Sequence, residues 1–328
     1  MPSLYPLSFQ PIFKERVWGG RNLERLYAKK LPPRAVIGES WEVSDRPGDV
    51  SVVANGTLAG KDLHWLVEHH RTDLLGDAKL EAGRFPLLIK LLDAQEKLSL
   101  QVHPPAARAA ELGGDPKTEM WFIANAAPGA ELYVGLRQGA TRAEFERRIH
   151  DGSVAECFHR VPVRAGDAMF LPSGRVHAIG SGLVIFEIQQ NSDTTYRVFD
   201  WNRTGLDGKP RDLHVAKSLA SIDFNDFEPA LVNRDEVVTR NFHSRQLVND
   251  PLFRVEQFTV QSAGSIKLRG SLLQILGIIH GQLCVNDPTG SGSGLVLRAG
   301  DFCLLPASLP AVELVGKPGT QFLRTEAG

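Results

Sequence analysis

Several short stretches of this chain carry side chains that could do chemistry, and their spacing sets which of them share a face. In L-S-L-Q-V-H (98–103), Ser99, Gln101 and His103 alternate with Leu98, Leu100 and Val102. A strand here is polar on one face and apolar on the other. In K-T-E-M-W-F-I-A (117–124), Lys117, Glu119, Trp121 and Ile123 fall on one side, and Met120, Phe122 and Ala124 on the other. Glu187 and Gln189 share a face in L-V-I-F-E-I-Q-Q (183–190), and Arg197 faces away from Tyr196 in T-T-Y-R-V-F-D-W (194–201). Such strands belong either to a sheet with one wet side or to a barrel whose lumen holds polar chemistry.

These strands need others to hold them. Gly and Pro are plentiful and spread out, which suits many short strands joined by turns. K-L-L-D-A (90–94) reads as a buried strand, turning at Asp93–Lys97 into the strand that ends at His103. I-G-E-S-W-E-V-S (37–44) puts Glu39, Trp41 and Val43 on one face, with Trp41 inward. Residues 61–76 read as a helix capped by Asp62, striped by Leu63, Leu66 and Val67, and ended by Gly76. His69 and His70 on it are expected at the surface. Residues 106–112 make a short helix stopped by Gly113 and Gly114. Thr141 and Glu144 form a capping box for a helix over 141–149, and 153–159 and 213–224 are also read as helices. Residues 226–328 form a second strand-rich block, in which G-S-G-S-G (290–294) reads as a flexible tip.

Composition narrows the function classes. The 328 residues carry a formal net charge of −1, with both signs mixed along the chain. That excludes the basic bias of a nucleic-acid or membrane surface, and no apolar run reaches membrane-span length. The N-terminal M-P-S-L-Y-P-L-S-F-Q-P lacks the basic start and apolar core of a secretory signal. The three cysteines, Cys157, Cys284 and Cys303, are odd in number and widely spaced. They fit a reducing cytoplasm rather than a disulfide framework. The sequence carries no signal for an oligomeric state.

One turn theme occurs twice. A-G-D-A-M-F-L-P-S-G-R-V-H (165–177) and R-A-G-D-F-C-L-L-P (298–306) each make a Gly-Asp turn into a strand that Pro ends. This suggests two related β-barrel units. In the first copy Gly174 permits a further turn and His177 opens the next strand. Gly166, Pro172, Gly174 and His177 match the second metal-binding motif of the cupin superfamily, G-x5-P-x-G-x2-H, which this stretch resembles. The Asn that often follows is Ser181 here. Gln101-Val102-His103 stands where cupins carry H-x-H, and Glu119 comes sixteen residues after His103.

Taken in order, L-S-L-Q-V-H-P, K-T-E-M-W and E-I-Q-Q-N-S-D-T-T-Y-R-V-F-D-W resemble type I mannose-6-phosphate isomerases of the short bacterial form. The resemblance is clear over residues 10–225 and general beyond. It implies a mainly β fold with a few helices, built as two cupin-type jelly-roll barrels plus a small helical insertion. The catalytic domain would be 1–225, and 226–328 a degenerate cupin-like domain. There His280 has no partner histidine and A-S-L-P-A-V-E (307–313) supplies none.

The resemblance further implies a metal held by His103, Glu119 and His177, with Gln101 as a fourth candidate. Two imidazoles, a carboxylate and an amide oxygen suit one Zn2+ per chain and leave a position open, and other divalent metals can use such a set. It implies a sugar phosphate substrate and a hydrogen moved between C1 and C2 through a cis-enediol(ate). Glu187, ten residues before Arg197, is the candidate base, and Arg197 the group that neutralises the intermediate or holds phosphate. Ser99, Lys90, Lys117 and Arg203 are candidate substrate contacts, and Trp18 a wall of the sugar pocket. The rival readings are an isomerase of a related, unphosphorylated sugar, a cupin dioxygenase and a non-catalytic sugar-phosphate sensor.

Overall fold

The alternating strands form, and they pair antiparallel. The computed structural model describes residues 3–262, 264–290 and 294–328. Its first half runs β1 (Ile12–Gly20), α1 (Asn22–Tyr27), β2 (Ile37–Val43), β3 (Asp45–Arg46), β4 (Asp49–Val50), β5 (Leu87–Ala94), β6 (Leu100–Val102), β7 (Glu119–Ala126) and β8 (Glu131–Leu136), with helices among them. It continues with β9 (Phe158–Pro162), β10 (Ala168–Leu171), β11 (His177–Ile179), β12 (Leu183–Gln190) and β13 (Tyr196–Phe199). One sheet has the order β1-β2-β5-β12-β7-β10 and faces a second, β13-β6-β11-β8-β9.

Alternation sorts the side chains between three apolar layers. Leu92, Trp121, Ile123, Ile179 and Ile185 pack between the two sheets. Ile89, Leu91, Met120, Phe122, Phe186 and Ile188 point the other way, into a cluster shared with the Leu63–His69 helix and with Phe302 and Leu304. Leu100, Val102, Tyr196 and Val198 cover the outer face of the second sheet, against Phe145 of the Arg142–Asp151 helix. Each buried Leu or Phe contributes roughly 1.5–3 kcal/mol. The polar face of β6 therefore looks into the space between the sheets, not into solvent.

The later residues build a further pair of sheets. Six strands run in the order Val237–Val238, Phe242–Asn249, Phe253–Val260, Gln321–Ala327, Gln274–His280, Phe302–Leu305. Four more run Gly264–Leu268, Val312–Gly316, Gln282–Val285, Leu295–Arg298. The apolar stretch 272–285 is thus split at Gly281, whose φ of +81° lets the chain cross between sheets. Most of the G-S-G-S-G tip lies outside the described residues.

Some local expectations need correction. His70 is buried, 3% exposed, because its ring packs beside Trp65 at 5.5 Å; His69 is exposed. The stretch 153–159 is a short 3-10 turn over Val154–Cys157 that runs straight into β9. The helix α1 gave no sequence signal, being only six residues long. Asp62 does cap its helix, accepting the Trp65 amide at 2.7 Å, and Thr141 accepts that of Glu144 at 3.1 Å. Among the described residues, no helix is long and apolar enough to cross a membrane.

Candidate active site

Register places the polar residues in rows across the two facing sheets. On the first sheet Trp41 pairs with Lys90, Lys90 with Glu187 and Glu187 with Trp121. One pleat along, Gln189 pairs with Glu119. On the second sheet Arg197 pairs with Gln101 and Gln101 with His177. Since side chains two apart share a face, all of these look inward.

Where the rows meet, His103, Glu119 and His177 come together. One donor atom from each lies within 4.8 Å of the others, and all three residues are buried. Glu119 Oε1 is 3.3 Å from His177 Nε2, and Oε2 is 3.7 Å from His103 Nε2. The loops orient the rings. His103 Nδ1 donates to the Thr194 carbonyl at 2.7 Å, and His177 Nδ1 to the Arg175 carbonyl at 2.9 Å. A carbonyl only accepts, so each Nδ1 carries the proton and each Nε2 presents a lone pair to the cluster. Gly174, at φ +94° with the Ser221 carbonyl 3.3 Å from where a Cβ would sit, donates its amide to the His103 carbonyl at 2.9 Å. The turn of one motif thereby anchors the strand end of the other.

Electrostatics keep the donors unprotonated. Burial, followed by the charge of Lys117, brings the His103 pKa down to about 4. Burial also lowers that of His177. Burial works against the Glu119 carboxylate, but the charge of Lys117 leads the interactions that outweigh it and hold its pKa well below the usual range. Lys117 Nζ lies 2.8 Å from Glu119 Oε2. Beyond that ion pair, His103 Nε2 and both Glu119 oxygens are buried without a hydrogen-bond partner. Orphaned buried acceptors are costly unless something fills the gap. Two neutral imidazoles and a carboxylate around such a gap fit a divalent cation. Gln101 sits beside them, its Nε2 3.3 Å from His177 Nε2 and its Oε1 accepting from Ser99 Oγ at 3.3 Å.

A cavity of about 660 Å3 opens next to this cluster. Of the residues singled out from sequence, Trp18, Lys90, Ser99, Gln101, Lys117, Glu187 and Arg197 line it. Glu187 is buried rather than on the surface, with Lys90 Nζ 3.1 Å from one oxygen and Trp121 Nε1 donating to the other at 3.0 Å. Arg197 has no carboxylate within ion-pair distance among the described residues, and its buried Nε lacks a partner. Burial and then the charge of Arg211 lower its pKa.

Arg203 does not line the cavity. Its guanidinium holds Asp200 at 2.8 Å and reaches the Lys97 carbonyl, which ties down the loop. Arg211, which shares Asp200 with it at 2.6 Å, is the one that lines the cavity. Glu39, Arg16 and His214 also line it and were not singled out. For Glu39 a signal existed, since alternation placed it on the face of Trp41, whose Nε1 donates to it at 2.7 Å.

Residues 7–119 match the model for the catalytic domain of type I phosphomannose isomerase. Mannose-6-phosphate isomerase ManA of Bacillus subtilis is 37% identical over 315 residues, covering 95% of this chain and 96% of that protein. Mannose-6-phosphate isomerase of Streptococcus mutans is 35% identical, with 95% of each chain covered. The chain belongs to the type I phosphomannose isomerase family. The fold agrees along its length: the crystal structure of the Bacillus subtilis mannose 6-phosphate isomerase superposes with a TM-score of 0.88 at 30% identity, covering 98% of this chain and 99% of that one. The mainly β fold expected from the sequence is therefore that of its family, and the relationship extends through the C-terminal sheets.

Proposed function

We propose that this protein interconverts D-mannose 6-phosphate and D-fructose 6-phosphate through a cis-enediol(ate), with one Zn2+ per chain. The observation that carries the reading is the buried His103–Glu119–His177 cluster, with the His103 and Glu119 acceptors lacking hydrogen-bond partners, beside a cavity lined by Lys90, Glu187 and Arg197. His103, Glu119 and His177 would hold the metal, with Gln101 as fourth ligand once its amide is turned. A divalent cation in this place supplies Lewis-acid stabilisation of a developing oxyanion.

The chain's own groups do the rest. Glu187 takes the proton from C2 of the open-chain aldose and returns it to C1, while the hydroxyl proton passes from O2 to O1. No electron acceptor is needed. Such a positioned base contributes roughly 10²–10⁴-fold. Lys90, 3.1 Å from Glu187, holds that carboxylate in place, and the planar fork of Arg197 neutralises the intermediate or holds phosphate. Ser99, Lys90 and Lys117 bind the sugar phosphate, and Trp18 walls the pocket. Residues 1–225 serve as the catalytic unit and 226–328 as its degenerate companion. The three free cysteines support a cytoplasmic enzyme.

Turnover of mannose 6-phosphate in D2O tests this. The account expects fructose 6-phosphate carrying deuterium at C1, and loss of both turnover and label in Glu187→Gln. Turnover that is undiminished in Glu187→Gln would remove Glu187 from the reaction.

A further inference from the structure

The second copy of the turn theme, R-A-G-D (298–301), borders a cleft of its own. Gly300 has φ +85°, and a Cβ on it would come within 2.5 Å of Tyr27 Cβ. Hence α1 packs directly on this turn. Two more turns converge here: Gly281 before the Gln282–Val285 strand, and Gly319 before the Gln321–Ala327 strand, with φ of +81° and +87°. They are bonded together, the Ala299 amide donating to the Gly281 carbonyl at 3.2 Å and Thr320 Oγ1 to the Gln282 carbonyl at 3.1 Å. The space they enclose with α1 is about 690 Å3 and shares no lining residue with the catalytic cavity.

Its charge is one-sided. Arg25, His280, Arg298 and Lys317 line it, from four separate segments. Among the described residues none of these side chains has an ion-pair or hydrogen-bond partner. The one carboxylate in the lining, Asp301, accepts the Arg298 amide at 2.8 Å. Asp167 accepts the Arg164 amide in the same way in the first copy, but there it also pairs with Arg234. Among the described residues Asp301 pairs with no such cation. Leaving His280 out of the count, Arg25, Arg298 and Lys317 against Asp301 give a net charge of +2.

Single exposed cations are ordinary. What distinguishes these is that they line one concave space with a single carboxylate among them, in a chain whose net charge is −1. Guanidinium forks and an ammonium around such a space match phosphate oxygens. We propose that this cleft binds a small phosphorylated anion through Arg25, Arg298 and Lys317, at a site separate from the catalytic cavity.

Amide shifts of Gly281, Gly300 and Gly319 report on this cleft alone. Inorganic phosphate titrated into the full, metal-loaded chain, at constant ionic strength, should shift them saturably. Arg298→Gln/Lys317→Gln should raise the fitted Kd at least tenfold and leave isomerase kcat/KM within twofold. Arg197→Ala, and removal of two exposed charges elsewhere by Arg254→Gln/Lys267→Gln, should leave that Kd within twofold. Absence of saturable shifts in the wild type would overturn the proposal. So would an unchanged Kd in Arg298→Gln/Lys317→Gln, or an equal loss in Arg254→Gln/Lys267→Gln, which would mark diffuse charge rather than a site.

Discussion

Glu119 and His177 meet across the lumen between two sheets, Oε1 lying 3.3 Å from Nε2, although one residue opens β7 of the first sheet and the other opens β11 of the second. The contact joins a carboxylate held ionised by Lys117 to an imidazole kept neutral by burial. Replacing Glu119 by Gln keeps the shape and removes the charge. The expected result is loss of bound metal and a fall in kcat of roughly 10³-fold, with far-UV circular dichroism unchanged. Metal analysis and steady-state kinetics on the same preparation check it. Retained metal with full activity would contradict the role of Glu119.

Gly174 links the two motifs through the His103 carbonyl. Its φ of +94° strains any side chain there, and the Ser221 carbonyl would crowd a Cβ at 3.3 Å. Gly174→Ala should destabilise the fold by about 1–3 kcal/mol and weaken metal retention, because the strand end carrying His103 shifts. Thermal unfolding with and without added metal measures both effects. A variant with wild-type Tm would show that the turn tolerates a Cβ.

Arg197 and Arg203 should separate in kinetics. Arg197 faces the cavity without a carboxylate partner, whereas Arg203 is spent on Asp200 and the Lys97 carbonyl. Arg197→Ala should lower kcat/KM by about 10²-fold or more, because a charge-assisted contact to substrate is lost. Arg203→Ala should change KM by only a few-fold and act on stability instead, by about 1 kcal/mol. A steep rise in KM for Arg203→Ala alone would return that residue to the substrate site.

Glu39 supplies a pH dependence. Burial opposes its charge, but Lys90, Arg16 and the Trp41 N–H overcome it and lower the pKa from 4.5 to about 2. A depressed carboxylate pKa contributes stability that is present above the unfolded-state value and lost as pH falls through the folded one. The advantage of wild type over Glu39→Gln, about 1–3 kcal/mol, should thus be full at pH 7 and shrink from about pH 5 towards pH 2. Denaturant melts across that range test it. A gap that is independent of pH would show that the carboxylate charge is not what stabilises.

Much of the site could be read in advance because strand alternation is a local rule. Ser99, Gln101 and His103 had to share a face, as did Lys117 and Glu119, whatever lay opposite. What alternation cannot supply is which strands become neighbours. Glu39 and Arg16 reach the cavity only because β1 and β2 extend the sheet beyond β5, a pairing set by distant contacts. Arg203 and Arg211 carry equal charge on one loop. Which of them faces the cavity depends on how the loop folds about Asp200. His70 was misplaced because helical spacing shows which side a residue takes, not that Trp65 would cover it.

The central claim is that this chain isomerises mannose 6-phosphate with a metal held by His103, Glu119 and His177. The most direct measurement is a coupled assay for fructose 6-phosphate formed from mannose 6-phosphate. It would be run on metal-stripped protein, on the same protein with one equivalent of Zn2+ restored, and on His177→Ala. The account predicts no turnover without metal, recovery on adding it, and none in the variant at any metal concentration. Full turnover by metal-free protein, or none by folded protein supplied with zinc, cobalt or manganese, would contradict it.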